Sequence, residues 1–204
     1  MQYQLEDIIS YAFESLPIPL KYCGSLPGER GGNSKSSYDF ILTGDKTLSL
    51  KTNIGKKVCP PEVGQPNDKT CYNYFKEFVV EDHINKTNFK QMVYKHIDKL
   101  MPIYLSHMFD SDFLLRIYEN NKNDVLLMGY AYGFDIVKKD FGKSFLWQKE
   151  KFTFSQSSIE SWNESNTVYY AGISLGEFQV HNNRNCFKFR FNFDNLLKII
   201  RKNL

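Results

Sequence analysis

Cysteine is scarce in this chain of 204 residues, which carries only four. Cys23, Cys59, Cys71 and Cys186 include no C-x-x-C pair, so the spacing of a zinc ribbon is excluded and reduced thiols are the plain reading. There are only four histidines, and no H-x-x-x-H or H-E-x-x-H occurs, which removes a helical zinc site. Gly28-Glu29-Arg30-Gly31-Gly32 lacks the Lys-Ser/Thr of a phosphate loop and reads as a flexible loop. No apolar run approaches the length that spans a membrane, so no membrane partner is expected. Residues 1–20 lack a basic stretch followed by an apolar core, so no signal peptide is expected and the location expected is cytoplasmic. There is no internal repeat and no low-complexity tract.

An excess of one charge is also missing. Lys and Arg number 26 against 23 Asp and Glu, a net charge of +3 that does not by itself imply a polyanionic partner. The distribution says more. From His181 to Leu204 the chain carries Arg184, Lys188, Arg190, Lys198, Arg201 and Lys202 against Asp194 alone. Such a basic end suits a surface that tracks phosphates. Hydrophobic residues make up 42% and aromatics 16%, enough to bury a core. The length fits one domain or one domain with a small lobe.

Periodicity places the elements. Leu5, Ile8, Ile9, Ala12, Phe13 and Leu16 have helical spacing, and Pro17 and Pro19 end that helix. Residues 23–36, rich in Gly and Ser, predict a loop. A hairpin follows, with strand 38–43, a turn at Gly44-Asp45 and strand 47–52. Residues 54–69 read as irregular, and 71–80, 87–109 and 110–120 as helices, with Pro102 a candidate kink. Strands dominate afterwards, at 125–134, 152–154, 167–173, 178–181 and 186–193, before a short helix at 194–202. The order predicts an α/β (α+β) domain, a mixed central sheet flanked by helices, spanning 1–204. Within it a core lies at about 1–80, a helical part at 81–120 and late strands at 121–204.

The hairpin carries the chemistry. Residues two apart in a strand share a face, so Ser49 and Lys51 point one way while Leu48 and Leu50 point to the core. Tyr38 and Phe40 bracket Asp39 in the same manner. A carboxylate on one strand and a polar-x-Lys on the next can converge on a divalent cation. The same pattern also arises on any exposed hairpin with a cross-strand Asp and Lys. Three neighbours favour the cation reading. Glu14 places a second carboxylate on the preceding helix, Asn53, Lys56 and Lys57 suit phosphate contacts around Gly55, and the C-terminal hairpin is basic at its tip.

The order Glu14, then Asp39 in Ser37-Tyr38-Asp39-Phe40, then Ser49-Leu50-Lys51 resembles the PD-(D/E)xK nuclease superfamily, and within it type II restriction endonucleases. Lys57 to Gln65 resembles the segment that follows the lysine in such enzymes. Ile173 to His181 and Phe187 to Phe191 resemble late strands of small members. Two positions depart from the pattern: Tyr38 stands where a proline is usual, and Ser49 where a second acid is usual. The resemblance implies a restriction-endonuclease-like fold, Mg²⁺ as cofactor and double-stranded DNA as substrate. It also implies a cognate methyltransferase as a genetic partner only. Asp39 and the Leu50 carbonyl would then hold the metal, with Glu14 or Glu62 as the missing acid. Lys51 would position or deprotonate the attacking water, and Ser49 would hold a water.

For base reading the candidates are Gln179, His181, Asn182, Asn183, Arg184, Lys188 and Arg190, and Gln65 joins Asn53, Lys56 and Lys57 as DNA contacts. Gln and Asn pair with adenine, and Arg and Lys with guanine, in the major groove. The plain alternative is a solvated hairpin with an Asn-rich turn. The alternation of Gln179, His181, Lys188 and Arg190 with Val and Phe gives one polar face on two adjacent strands, which favours the DNA reading. A homodimer matches a palindromic site because symmetric half-sites fit a symmetric protein. Rival functions are a repair or structure-specific nuclease of the same fold, a DNA-binding module without chemistry, and an unrelated interaction protein. His83, His96 and His107 lie in helical text and read as structural, as do Trp147 and Trp162.

Overall fold

The structure is a computed structural model, and it describes residues 11, 12, 14, 22–25, 38–52, 56–119, 125–127, 130–183 and 186–202. The chain forms two compact units and crosses between them three times. Unit 1 is Met1–Gly55 with Phe109–Phe141, and unit 2 is Lys56–Met108 with Gly142–Leu204. The segments 1–80, 81–120 and 121–204 read from the sequence therefore cut across both units.

Unit 1 is built on a sheet of six strands. They are β1 (Tyr22–Ser25), β2 (Phe40–Leu42), β3 (Lys46–Thr52), β5 (Phe113–Glu119), β6 (Val125–Leu127) and β7 (Tyr130–Lys138), and the spatial order is β1-β2-β3-β5-β7-β6. The β2–β3 hairpin forms where expected, with Phe40 opposite Leu48 and Leu42 opposite Lys46. Its turn uses Gly44 at φ 74° and Asp45 at φ 57°, the left-handed region that Gly and Asp tolerate best. Asp39 lies at a bend one residue ahead of β2 rather than inside the strand.

Three expectations for this unit are overturned, and one is the single strand at 125–134, which is the antiparallel pair β6–β7. Residues 110–120 are not a helix: Phe113–Glu119 is a strand lying parallel to β3 and antiparallel to β7. The run Phe-Leu-Leu-Arg-Ile-Tyr has no clean period, and an interior strand buried on both faces gives none. Residues 22–25, placed partly in the loop, form strand β1 against β2. The rest of that loop, at 26–37, and most of the first helix lie outside the described residues, although Tyr11, Ala12 and Glu14 are helical.

One face of the unit 1 sheet is apolar. Leu42, Leu48, Leu115 and Ile117 are buried there with Ala12, and Phe40, Leu50, Phe113, Tyr132, Phe134 and Ile136 pack around them. Tyr11 meets Phe134 edge-on at 6.1 Å, so the first helix lies on this face.

The start of the parallel β3–β5 pair is clamped by Asp112. Its Oδ2 accepts from the Thr47 amide at 2.9 Å and from the Thr47 hydroxyl at 3.0 Å, and Lys46 lies 3.5 Å from Oδ1. The Thr47 amide bond, ahead of the Thr47 hydroxyl and the Lys46 charge, holds the Asp112 carboxyl below its ordinary value. A depressed carboxyl stabilises the fold above its unfolded pKa and loses that contribution as pH falls through the folded value. Asp112→Asn should therefore cost about 1–2 kcal/mol at neutral pH. Urea denaturation should show that difference shrinking once the pH drops below about 4.

Unit 2 carries a second sheet in the order β4-β11-β10-β9-β8, with β4 (Lys57–Val58), β8 (Phe152–Phe154), β9 (Ser165–Tyr170), β10 (Ile173–Val180) and β11 (Phe187–Asn192). Three helices accompany it: α1 (Asp68–Phe75), α2 (Lys86–Met108) and α3 (Phe193–Arg201). Asn67 caps α1 by accepting from the Thr70 amide, and Asn192 caps α3 through the Asn195 amide. The apolar stripe read from the sequence of α2 is the buried one, from Phe89 through Tyr104 to Met108. Its break falls at His96 (φ −128°, ψ 21°) instead of at Pro102. Pro102 offers no N–H to the Asp98 carbonyl and crowds it, so the distortion appears upstream of the proline. The His96 ring sits 5.4 Å from Phe78, and burial, ahead of the Lys95 charge, lowers its pKa.

Alternation holds along β9 and β11 and, past an irregularity between Ser174 and Gly176, along the end of β10. Val168, Tyr170, Phe178, Val180, Phe187, Phe189 and Phe191 turn to the core, where Phe178 meets Phe189 at 4.5 Å, Tyr104 at 6.0 Å and Trp162 at 6.0 Å. The opposite face is polar. Trp147 and Trp162 are buried packing residues, as expected.

Candidate functional site

In unit 1 the second face of the sheet, which also buries Leu114 and Val137, gathers the residues of the hairpin motif. Asp39 donates its amide to the Leu48 carbonyl at 2.8 Å. The Asp39 carboxylate in turn accepts the Leu50 amide at 2.7 Å. The side chain thus occupies the edge of β3 where its ladder with β2 stops at Leu48. In an antiparallel ladder the N–H and C=O of one residue point to the same side. The Leu50 carbonyl therefore points to the edge that Asp39 occupies, and two hard oxygens face one place. Ser49 and Lys51 flank Leu50 on the other face of the strand, away from the apolar core.

Ser49 is 2% exposed, and its hydroxyl has no hydrogen-bond partner among the described residues. An orphaned buried hydroxyl costs about 1–3 kcal/mol, so a water or ligand oxygen at this point would recover that loss. Lys51 has Arg116 beside it on β5, and Arg116 has Asp135 beside it on β7. Arg116 is 1% exposed, an uncommon burial for a permanent cation. Its guanidinium lies 3.4 Å from Asp135 and 4.5 Å from the Tyr118 ring centre. Gly133 makes room for that ring, since a Cβ there would sit 2.7 Å from it. Arg116 and Asp135 were not visible as site neighbours in the sequence, because parallel register sets Arg116 beside Lys51 across a gap of more than sixty residues and antiparallel register then sets Asp135 beside Arg116.

The expected second acids fare differently. Glu14 is exposed on the helix whose Ala12 packs on the apolar face. Two residues along a helix turn the side chain about 200° away. Glu14 thus points off the sheet, and the structure does not bring it to Asp39. Glu62 belongs to unit 2, with φ 57°, where it accepts from the Tyr74 hydroxyl and lies 3.5 Å from His107. That bond, ahead of burial, pushes the Tyr74 hydroxyl up to about 12. Among the described residues no group of three His, Cys, Asp or Glu side chains is arranged to hold a metal ion.

Among the candidate DNA contacts of unit 2, Gln179, Lys188, Arg190 and Lys57 share the polar sheet face. Gln179 is the cross-strand neighbour of Lys188, Glu177 of Arg190, and Lys57 of Asn192, while Ser165 and Thr167 extend the same face on β9. Glu177, which the sequence did not single out, ties them together. It contacts Lys57, lies 3.5 Å from Arg190 and accepts from Gln179 at 2.7 Å. Partial burial and then the Arg190 charge lower the Lys57 pKa. His181 lies 3.7 Å from Glu164, which also accepts the Asn182 amide. Lys56, Gln65, Asn182 and Asn183 are exposed. Asn53 and Arg184 lie outside the described residues.

Comparison with curated proteins finds similarity to the type II restriction enzyme CviAII of Paramecium bursaria Chlorella virus 1, 29% identical over 168 residues. The match covers 81% of this chain and 45% of that enzyme, so the chain spans less than half the length of the curated relative it matches. No family model matches the chain. No solved structure matches it. Among the described residues, no helix is long and apolar enough to cross a membrane.

Proposed function

We propose that the protein is a Mg²⁺-dependent, sequence-specific endonuclease that cleaves double-stranded DNA, in the manner of type II restriction enzymes. The observation that carries this reading is the Asp39 carboxylate bonded to the Leu50 amide, with Ser49 and Lys51 on either side. Similarity to a type II restriction enzyme over most of the chain supports the same class.

The donor set fits the proposed ion. Mg²⁺ favours hard oxygens and is often held by one or two carboxylates plus substrate phosphates and water. Asp39 and the Leu50 carbonyl would hold it, and the orphaned Ser49 hydroxyl offers a place for an ordered water. When bound, the ion polarises the scissile phosphate and stabilises charge on its oxygens. The Lys51 ammonium orients the attacking water and offsets phosphate charge as it develops in the transition state. Asp39, bonded to the backbone, is held in place beforehand, so little reorganisation is needed at the moment of reaction. The polar face with Gln179, Lys188 and Arg190 reads base edges and phosphates. A soluble cytoplasmic enzyme, acting as a homodimer on palindromic sites, fits this reading.

Incubation of the full chain with phage DNA, with Mg²⁺ and with EDTA, tests it. Discrete bands that appear only with Mg²⁺ are the expected result. A smear would mean a nonspecific nuclease. Intact DNA in every lane would leave a binding module without chemistry.

A further inference from the structure

Glu177 is the feature that the proposed chemistry leaves unused. It is 7% exposed, yet it sits on the polar face of the unit 2 sheet between cations. An acid placed there opposes the approach of phosphates, so its presence needs a compensating role. Its two oxygens are used differently. Oε2 contacts Lys57 and lies 3.5 Å from Arg190 Nη2, while Oε1 accepts from Gln179 Nε2 at 2.7 Å.

The second contact fixes an orientation. An ionised carboxylate only accepts hydrogen bonds, so the Gln179 amide must turn its NH₂ group towards Glu177. One N–H is used in that bond. The carbonyl oxygen and the remaining N–H are left side by side as an acceptor–donor pair. Adenine presents the complementary pair in the major groove, the N6 amino donor and the N7 acceptor, whereas guanine presents two acceptors. A free glutamine can flip, which would set its oxygen against N7 and its NH₂ against the N6 amino group and lose adenine, but one held by Glu177 cannot.

We propose that Glu177 is a positioning residue that locks the Gln179 amide in the orientation that reads adenine. Lys57 and Arg190 hold the Glu177 carboxylate in place for that task. This rests on the DNA-binding reading above and adds to it the base and the residue that sets the choice.

The test is selection of randomised duplex DNA by the full chain, with Ca²⁺ in place of Mg²⁺ to prevent cutting, followed by titration of the selected duplex across salt concentrations. Wild type is expected to require adenine at one position of its site. Glu177→Gln replaces the carboxylate by an amide that can present either end. It should lose about tenfold of the preference for adenine over guanine at that position. It should also bind duplexes of any sequence more tightly, with a salt dependence steeper by about one unit, because Lys57 and Arg190 turn to phosphates. Gln179→Met should lose the same preference with the wild-type salt dependence, and it carries the test if Glu177→Gln fails to fold. A purely structural Glu177 would lower stability and leave the base preference in place. Unchanged adenine preference in a folded Glu177→Gln, whatever Gln179→Met does, therefore overturns the assignment while leaving the endonuclease reading intact. Wild type that binds duplex without any sequence preference overturns that reading and this one with it.

Discussion

Asp39→Ala and Lys51→Ala are each expected to lower DNA cleavage about 10³-fold or more while leaving duplex binding largely intact. Asp39 is the one carboxylate that the described structure places at the hairpin edge, and its bond to the Leu50 amide aligns it with the Leu50 carbonyl. Removing it takes away the formal negative charge that would hold the ion there. Asp39→Asn separates charge from geometry. Its amide oxygen still accepts the Leu50 amide, so the hairpin stays in register, yet the charge is gone. If Asp39→Asn cuts like wild type, the carboxylate is only a cap on the strand edge. Lys51→Ala acts at a different step, because it removes the cation that orients water and answers the charge on the phosphate. Wild-type cutting rates in either alanine variant, measured on plasmid DNA with Mg²⁺, would sink the assignment.

The second large effect concerns stability. Phe178→Ala should destabilise the protein by about 3–5 kcal/mol. Phe178 is fully buried, with Phe189 at 4.5 Å, Tyr104 at 6.0 Å, Trp162 at 6.0 Å and Phe89 at 6.1 Å. Rings packed from a sheet and a long helix cannot collapse into the space one of them leaves, so the cavity persists. Urea denaturation should show a lower midpoint with an unchanged slope. Val80→Ala is the control, because Val80 is 99% exposed and its loss should change stability by less than about 0.5 kcal/mol. Phe178 also lies between Glu177 and Gln179 on β10, so the same substitution loosens the strand that presents both to the polar face.

The local frame of the candidate site was legible in consecutive residues. The hairpin needs only a turn at Gly44-Asp45 and a period of two, and both are written in consecutive residues. The same holds for the alternation that puts Gln179, Lys188 and Arg190 on one face. Glu14 and Glu62 were chosen as partners for Asp39 by chemistry alone. The helix phase turns Glu14 off the sheet, and Glu62 is engaged by Tyr74 and His107. Residue type says what a carboxylate can do, but the packing of its element says where it can reach.

The sequence by itself determined the β2–β3 hairpin, the buried stripe of α2, the two-faced strands β9–β11 and the terminal helix. Each is a short-range pattern of apolar residues, caps and turns, and each survives with small shifts at its ends, except that the strand read at 167–173 is broken by a turn at Ala171-Gly172 and β10 begins at Ile173 instead of Phe178. Only the tertiary structure decided that Phe113–Glu119 is a strand, that it lies parallel to β3, and that Arg116 therefore sits beside Lys51. The same is true of Glu177, whose hold on Lys57, Arg190 and Gln179 depends on strand register across three strands. Register between distant segments comes from burial and ladder pairing summed over a whole sheet, and no local window of residues contains that sum.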